Sequence, residues 1–447
     1  MKKYEKYQSS ELPWIYQVPE HWKMIRNGAL FTYHQDKVGE SFNKYNLLSL
    51  TTNGIRCKDI ENIKGKVPAS YEGYQIVNIG DMVFCLFDLD CSAVFSGISA
   101  FKGMITSAYD VLTPNSEMNA EFLDYWFQSV FFGRYYKIFS KSVRYTINYD
   151  TFKAIKSPVP PREEQDQIVR YLDWQVSRIN HLIHGYQKQI KLLEEYKKSK
   201  IAYFTTHDCY DDEMKKSEIY WLDNIPKNWR VTRIKHILKK QQRPCNKNAD
   251  LLICSNSGEV KKRGDSKLGL VAESDDIYQG VQKGDLLIHG MDTWHGAIAI
   301  SAYEGMCTPV VHVCTSTESV RFVAYYLKMM AYTKVFKAIS NGVRQNTSDF
   351  RSWDKAGALF IALPTLEEQE RISDILDNVV MQVELSKQKM QVEIDLLKEY
   401  RTRLISDVVT GQVDVRDVVI PDYTPEDDTD TETNDVSDSE EVADNAE

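Results

Sequence analysis

Two groups of residues in this chain have the types and spacing to recognise nucleic acid. Lys137, Lys141, Arg144 and Tyr145 lie close together, and Lys334, Lys337, Arg344, Gln345 and Asn346 occupy the matching stretch some 200 residues later. Arginine can grip guanine O6 and N7, asparagine or glutamine can grip adenine N6 and N7, and lysine mainly neutralises phosphate. Lys261, Lys262 and Arg263 form a third basic cluster, and Lys239 and Lys240 with Arg243 a fourth. Any one such cluster is more often a solvated face; recurrence at equivalent places is what points to binding. Catalysis has no comparable support. The sequence contains no G-x-x-x-x-G-K-[ST], no H-E-x-x-H and no G-x-S-x-G. It also lacks a glycine-rich methyl-donor loop followed by an Asn/Asp-Pro-Pro-aromatic tetrapeptide. Asp88 and Asp90 have the spacing of a metal-binding pair, but a lone D-x-D reads first as a surface turn. Eight cysteines form no C-x-x-C pair and no grouping with histidine, the pattern of reduced structural thiols, so no metal or cofactor is expected on this chain.

The basic groups precede two long amphipathic runs that must position them. Pro160-Pro161-Arg162-Glu163-Glu164-Gln165 opens one run ending near Ile201, and Pro364-Thr365-Leu366-Glu367-Glu368-Gln369 opens another ending near Ile405. A shift of 204 residues superposes them without a gap: Gln165 on Gln369, Leu172-Asp173 on Leu376-Asp377, Glu195-Tyr196 on Glu399-Tyr400. Proline suits the first turn of a helix, and the carboxylates after it favour the positive end of the helix dipole. Apolar residues then recur at heptad spacing. In the first run they are Val169, Leu172, Val176, Ile179, Ile183, Tyr186, Ile190 and Leu193. In the second they are Leu376, Val380, Val383, Met390, Ile394, Leu397 and Leu404, interrupted by Ser373 and Lys387. Two helices of matched length and pattern are each other's most economical partners. An antiparallel coiled coil would carry the modules before them at opposite ends, about a pseudo-two-fold axis.

The duplication reaches into those modules. Trp14, Pro19 and Trp22 match Trp221, Pro226 and Trp229; Gly80-Asp81 matches Gly284-Asp285; Gly103-Met104 matches Gly305-Met306; Tyr125 matches Tyr325; and Val143-Arg144 matches Val343-Arg344. A period this long means duplicated domains. Alternating apolar residues around glycine turns read as strands, as in 74–81 and 297–300, and Phe122–Phe127 and Phe322–Leu327 read as helices after them. The expected fold is α+β, with two tandem α/β domains, at 1–157 and 208–361. The long helices occupy 158–207 and 362–417, and an acidic tail 418–447. The Trp-Pro-Trp segments read as clasps that close each module. Residues 56–75 and 259–279 share almost nothing, nor do 85–102 and 288–304, so the two modules look built for the same task on different targets.

At 447 residues the chain suits two domains plus connecting helices. No apolar run reaches the length needed to cross a bilayer, and the start lacks a signal peptide's apolar stretch, so a cytosolic protein without a membrane partner is expected. The net charge of −9 is concentrated: residues 418–447 carry 12 carboxylates and no Lys or Arg, leaving the rest at about +3. Such a tail is expected to be a disordered, solvating segment.

These features together resemble the DNA-specificity subunit of type I restriction-modification enzymes, over residues 10–417. The resemblance rests on the W-x-x-x-x-P-x-x-W opening segments (Trp14 to Trp22, Trp221 to Trp229), the two P-x-x-E-E-Q helix starts, and the terminal run Val409-Thr410-Gly411-Gln412-Val413-Asp414-Val415-Arg416. It implies two target-recognition domains, each reading half of a split site in double-stranded DNA. It further implies a coiled coil that separates them and docks two methyltransferase subunits, with motor-nuclease subunits joining in the full complex. S-adenosylmethionine, ATP and Mg would belong to those partners, leaving this chain non-catalytic. The first helix lacks the T-G-x-V-D-V-R ending, and the acidic tail is an addition to the family pattern. A coiled-coil scaffold without nucleic acid is the alternative, and a free-standing nuclease or methyltransferase a more distant one.

Overall fold

The structure, a computed structural model, describes residues 2–52, 54–58, 70–207, 213–245, 249–264, 278–339 and 350–425. Helices and strands mix throughout, as the patterning predicts, and the chain gathers into two compact units, one of residues 1–186 with 392–447 and the other of 187–391. The long amphipathic runs are helices at Arg162–Phe204 and Leu366–Val409, each slightly longer than the heptad pattern alone indicates. Each unit contains part of both helices.

In the first unit an antiparallel four-stranded sheet has the order Phe31–His34, Asp110–Pro114, Met82–Phe84, Ser96–Ile98. Met82, Val83 and Phe84 are all buried, so this inner strand is covered on both faces. Helix Ala120–Phe132 packs Phe127 against Phe84, with ring centroids 5.0 Å apart. A second sheet pairs Gly103–Ile105 in parallel with Asn46–Thr51. Its close approach explains why a glycine stands at the matched place in both copies: a Cβ at Gly103 would sit 2.5 Å from the Asn46 carbonyl oxygen.

The second unit repeats this plan from a different sequence. Its four-stranded sheet runs Leu238–Lys240, Val311–Ser316, Leu286–His289, Ile298–Ile300, again wholly antiparallel. Helix Val320–Tyr332 follows it, and Gly305 approaches the Asp250 carbonyl so closely that a Cβ would again lie 2.5 Å away.

Three polar contacts tie each module to the start of its own long helix, and they fall on the residues that repeat at fixed spacing. Trp22 Nε1 donates to Glu164 Oε1 at 3.0 Å, and Trp229 Nε1 to Glu368 Oε1 at 3.3 Å, so the Trp-Pro-Trp segment is a clasp whose second tryptophan grips the helix. Gln165 Oε1 accepts from the backbone N–H of Asn119, and Gln369 Oε1 from that of Ser319, each being the N-cap of the module's helix. Tyr125 donates to Asp173 at 2.8 Å and Tyr325 to Asp377 at 2.6 Å. Buried polar groups of this kind are costly unless paired, so each contact fixes the module's pose on its helix.

The heptad residues Leu172, Val176, Ile179, Ile183, Tyr186, Ile190, Leu193, Leu376, Val380, Val383, Met390, Ile394 and Leu397 are all buried or half-buried. In the second unit Lys197 pairs with Glu384 at 2.7 Å and Lys387 with Glu194, so a step forward along one helix meets a step backward along the other. In the first unit Arg401 donates to Asn180 Oδ1 at 2.7 Å. Lys387, which breaks the apolar stripe, thus belongs to an ion-paired network. Ser373, the other interruption, is fully buried and bonds its own helix at the Gln369 carbonyl, 2.7 Å away.

Candidate nucleic-acid interface

In the first unit the basic residues of the sequence pattern sit on the segment after helix Ala120–Phe132. Arg134 adopts a left-handed conformation (φ 51°) at the helix exit, and its guanidinium donates to the carbonyls of Leu89 and Ser92 while stacking over Phe131. It is therefore an anchor rather than a reader. A short turn at Tyr135–Phe139 follows, with Trp14 stacked on Tyr135 at 5.2 Å.

Residues 140–147 then form a loop held along its length. Ser140 Oγ donates to the Thr146 carbonyl at 2.9 Å, the Thr146 N–H to Ser142 Oγ at 2.8 Å, and the Tyr145 N–H to the Ser142 carbonyl at 3.1 Å. Below the tip, the Leu89 N–H donates to the Tyr145 carbonyl and the Ile147 N–H to the Leu86 carbonyl. The structure brings together Lys137 and Tyr145, with the ammonium 4.9 Å from the ring centre. Lys141, Arg144 and Tyr145 are exposed on the same loop. Tyr145 takes a positive φ of 47° to turn the chain, strain that the flanking bonds hold in place. Asp88, at φ 51°, accepts at its carbonyl from the N–H groups of Cys91 and Ser92, which makes the Asp88–Asp90 stretch a turn. Among the described residues no cluster of His, Cys, Asp or Glu has the makings of a metal site.

In the second unit Lys334 repeats the left-handed exit (φ 62°) after helix Val320–Tyr332, and Lys337 lies 5.8 Å over the Trp294 ring. Both lysines line a cleft of about 620 Å³ together with Lys198, Glu259, Trp294 and Tyr332. Arg344, Gln345 and Asn346 lie outside the described residues. Lys261 and Lys262 project from the strand Val260–Lys262 but are each held by a carboxylate, Lys261 by Glu259 at 3.0 Å and Lys262 by Asp250 at 2.7 Å. The hydrogen bond that Lys262 donates to Asp250 raises the lysine's pKa. Arg263 follows, with its N–H on the Leu251 carbonyl. The fourth cluster divides: Arg243 is bound by the buried Asp285 carboxylate, whereas Lys239 and Lys240 line a second cleft of about 630 Å³ with Lys235, His236, Gln242 and Trp353. Lys235 and Trp353 were not singled out by motif, because only the fold brings residues 235 and 353 to one cleft.

A further set of residues escaped the heptad pattern because it lies off the stripe. Leu192 and Tyr196 in the second unit are 54% and 49% exposed, and their counterparts Leu396 and Tyr400 in the first are 54% and 44% exposed. The signal was present in the repeat, where Glu195-Tyr196 falls on Glu399-Tyr400. Each long helix thus holds a large apolar pair in solvent at the same repeat positions.

No family model matches the chain. Two curated proteins of Methanocaldococcus jannaschii resemble it along almost its whole length. One, a putative type I restriction enzyme MjaX specificity subunit, is 25% identical over 90% of this chain and 96% of its own. The other, the type I restriction enzyme MjaVIII specificity subunit, is 23% identical over 90% of this chain and 95% of its own. Among solved structures, a chain from work on complex assembly and conformational transition of the type I R-M system covers 89% of this chain and 100% of itself, with a TM-score of 0.63 and 14% identity, a likeness of fold. Along nearly its whole length the chain is thus similar to proteins named as type I restriction enzyme specificity subunits, the family its motifs resemble.

Proposed function

We propose that this chain is the DNA-reading subunit of a type I restriction-modification assembly. The observation that carries this reading is the double module: one sheet-and-helix plan, built twice from divergent sequence, is locked by the same Trp–Glu, Gln–N-cap and Tyr–Asp contacts to the start of a long helix. Two frames held alike and filled differently suit two half-sites of unlike sequence. The relatives named as specificity subunits match both copies, which supports the same reading.

The two long helices act as an antiparallel coiled coil that sets the spacing between the half-sites. A helix of 43 residues spans about 65 Å at 1.5 Å per residue, and half-sites on a duplex face the same side about one turn apart. The exposed pairs Leu192/Tyr196 and Leu396/Tyr400 dock one methyltransferase subunit each, and motor-nuclease subunits join through them. S-adenosylmethionine, ATP and Mg are held by those partners. This chain binds and orients DNA through Lys137, Lys141, Arg144 and Tyr145 in one module. In the other it uses Lys261, Lys262, Arg263, Lys334 and Lys337, with Arg344, Gln345 and Asn346.

Single-molecule mapping of methylated adenine, in cells that make this chain with its methyltransferase partner and in cells lacking it, tests the reading. A bipartite methylated motif present only with the chain is expected. An unchanged methylation pattern, with both proteins present and associated, would return the chain to a scaffold role.

A further inference from the structure

The first module places one side chain where neither folding nor phosphate binding accounts for it. Val143 is 98% exposed, the most exposed of the large apolar side chains among the described residues. A valine gains nothing there: β-branched residues are disfavoured in turns, and no core lies within reach. The loop that carries it is nonetheless built to hold it still. Ser140, Ser142, Tyr145 and Thr146 bond one another across its base, and Leu86 and Leu89 fasten its far side to the module. Lys141 precedes the tip, and Lys137 lies against Tyr145 behind it. A rigid apolar knob beside cations, on a surface read as facing DNA, has a narrow choice of target. The sugar-phosphate backbone offers it nothing, and the base-edge group in the major groove that matches an isopropyl side chain is the thymine 5-methyl.

From this we propose that Val143 is a specificity-determining residue that reads a thymine 5-methyl group in the half-site of the first module. The proposal rests on the DNA-reading function above and assigns one contact within it. Lys141 steers the loop onto the phosphates, and the braced backbone presents the valine without an ordering cost on binding.

The test uses the full chain assembled with its methyltransferase partner and duplexes carrying the mapped site, in which each thymine is replaced in turn by uracil. One replacement is expected to weaken binding by the wild-type assembly about fourfold, the worth of one buried methyl. Val143→Ala should weaken binding to the parent site several-fold, show no further loss on that uracil duplex, and leave the salt dependence unchanged. Lys141→Ala should do the reverse, lowering the slope of log K against log salt by about one while keeping the full uracil effect. Uracil effects that persist in Val143→Ala, or wild-type affinity in that variant, would overturn the assignment while leaving DNA reading intact. A 2-aminopurine fluorescence rise that depends on Val143, without any uracil effect, would likewise replace it with insertion between bases. Absence of sequence-preferring binding by the wild-type assembly would remove the DNA-reading function and this contact with it.

Discussion

The joint between module and long helix is made twice, and the two versions differ in charge. In the first unit Glu164 collects the Trp22 indole, the Tyr4 hydroxyl at 2.7 Å and the His21 ring at 2.7 Å. Further along the same helix the Tyr125–Asp173 bond sits among the carboxylates of Glu121 and Asp124. Burial, helped by Glu121, raises the Asp173 pKa. Burial also pushes Asp124 up to about 6, with one carboxylate oxygen enclosed and unpaired. In the second unit Arg321 occupies the position of Glu121. It binds Glu370, Asp374 and Asp377 at once, and its hydrogen bond holds the Glu370 pKa down. Ala324 stands where the first unit has Asp124. The shared contacts are those that set geometry; the electrostatics around them were free to diverge.

A second difference concerns how each unit is closed. In the first, the run after the second long helix folds back on the chain's beginning. Gln412 donates to the Gln17 carbonyl, the Asp414 N–H to the Lys2 carbonyl, and Arg416 stacks 4.9 Å over Tyr4 while pairing with Asp414. Gly411 makes the turn at φ 72°, so close to the clasp that a Cβ would lie 2.2 Å from Pro19 Cδ. In the second unit the first long helix is followed by the module along the chain itself, and His207 stands at the place of Gly411. The T-G-x-V-D-V-R ending is thus a closure for the unit whose chain is interrupted, which explains its absence from the first helix.

Substitutions can break or sharpen this comparison. The change visible in the assembly itself is expected at the repeated exposed pairs. Leu192→Asp with Tyr196→Asp, or Leu396→Asp with Tyr400→Asp, should weaken docking of one methyltransferase about 100-fold and leave the other bound, read by native mass spectrometry as a change from two partners to one. Loss of both partners from either double variant would mean that the faces do not act independently. Glu164→Ala should destabilise the first unit by about 3 kcal/mol, since it strands buried donors of Trp22 and Tyr4; denaturant unfolding followed by tryptophan fluorescence measures it. Gly411→Ala should cost about 2 kcal/mol in the same unit, from a positive φ and the Pro19 contact together, whereas His207→Ala should change the second unit by less than about 0.5 kcal/mol.

Asp124 gives a pH signature that the second unit lacks. Burial pushes its pKa up to about 6 from the ordinary carboxylate value of 3.8, so the native state binds the proton more tightly than the unfolded chain. The penalty, on the order of 3 kcal/mol, is therefore full above about pH 6 and is relieved as pH falls towards 4. Asp124→Asn should stabilise the first unit at pH 7 and flatten this part of its stability profile. The smallest effect is Glu121→Arg, which gives the first unit the cation of the second. A gain of about 0.5 kcal/mol is expected, abolished by high salt.

Much of the fold was legible in the sequence because it was written twice. Helix starts, the heptad stripe and the clasp tryptophans could each be set against a second copy, and the apolar residues of the stripe are buried or half-buried. The polar landmarks were visible as matched positions, but their meaning was not: Tyr125 and Asp173 are 48 residues apart, and only packing shows that they share a hydrogen bond. The basic clusters were legible as charge, yet Arg243 proved to be the counterion of buried Asp285, and Lys261 and Lys262 to have carboxylate neighbours.

The sequence by itself determined the period, the mixed α+β modules and the two amphipathic helices. Those follow from local propensity and from the spacing of apolar residues along one chain, which no distant residue alters. Tertiary structure alone decided which charges face water and which are neutralised, that Val143 stands out on a braced loop, and that Gly411 closes a unit whose chain is broken. Such outcomes depend on groups far apart in sequence meeting at hydrogen-bond distance, where burial makes a paired charge structural, as with Arg243 on Asp285.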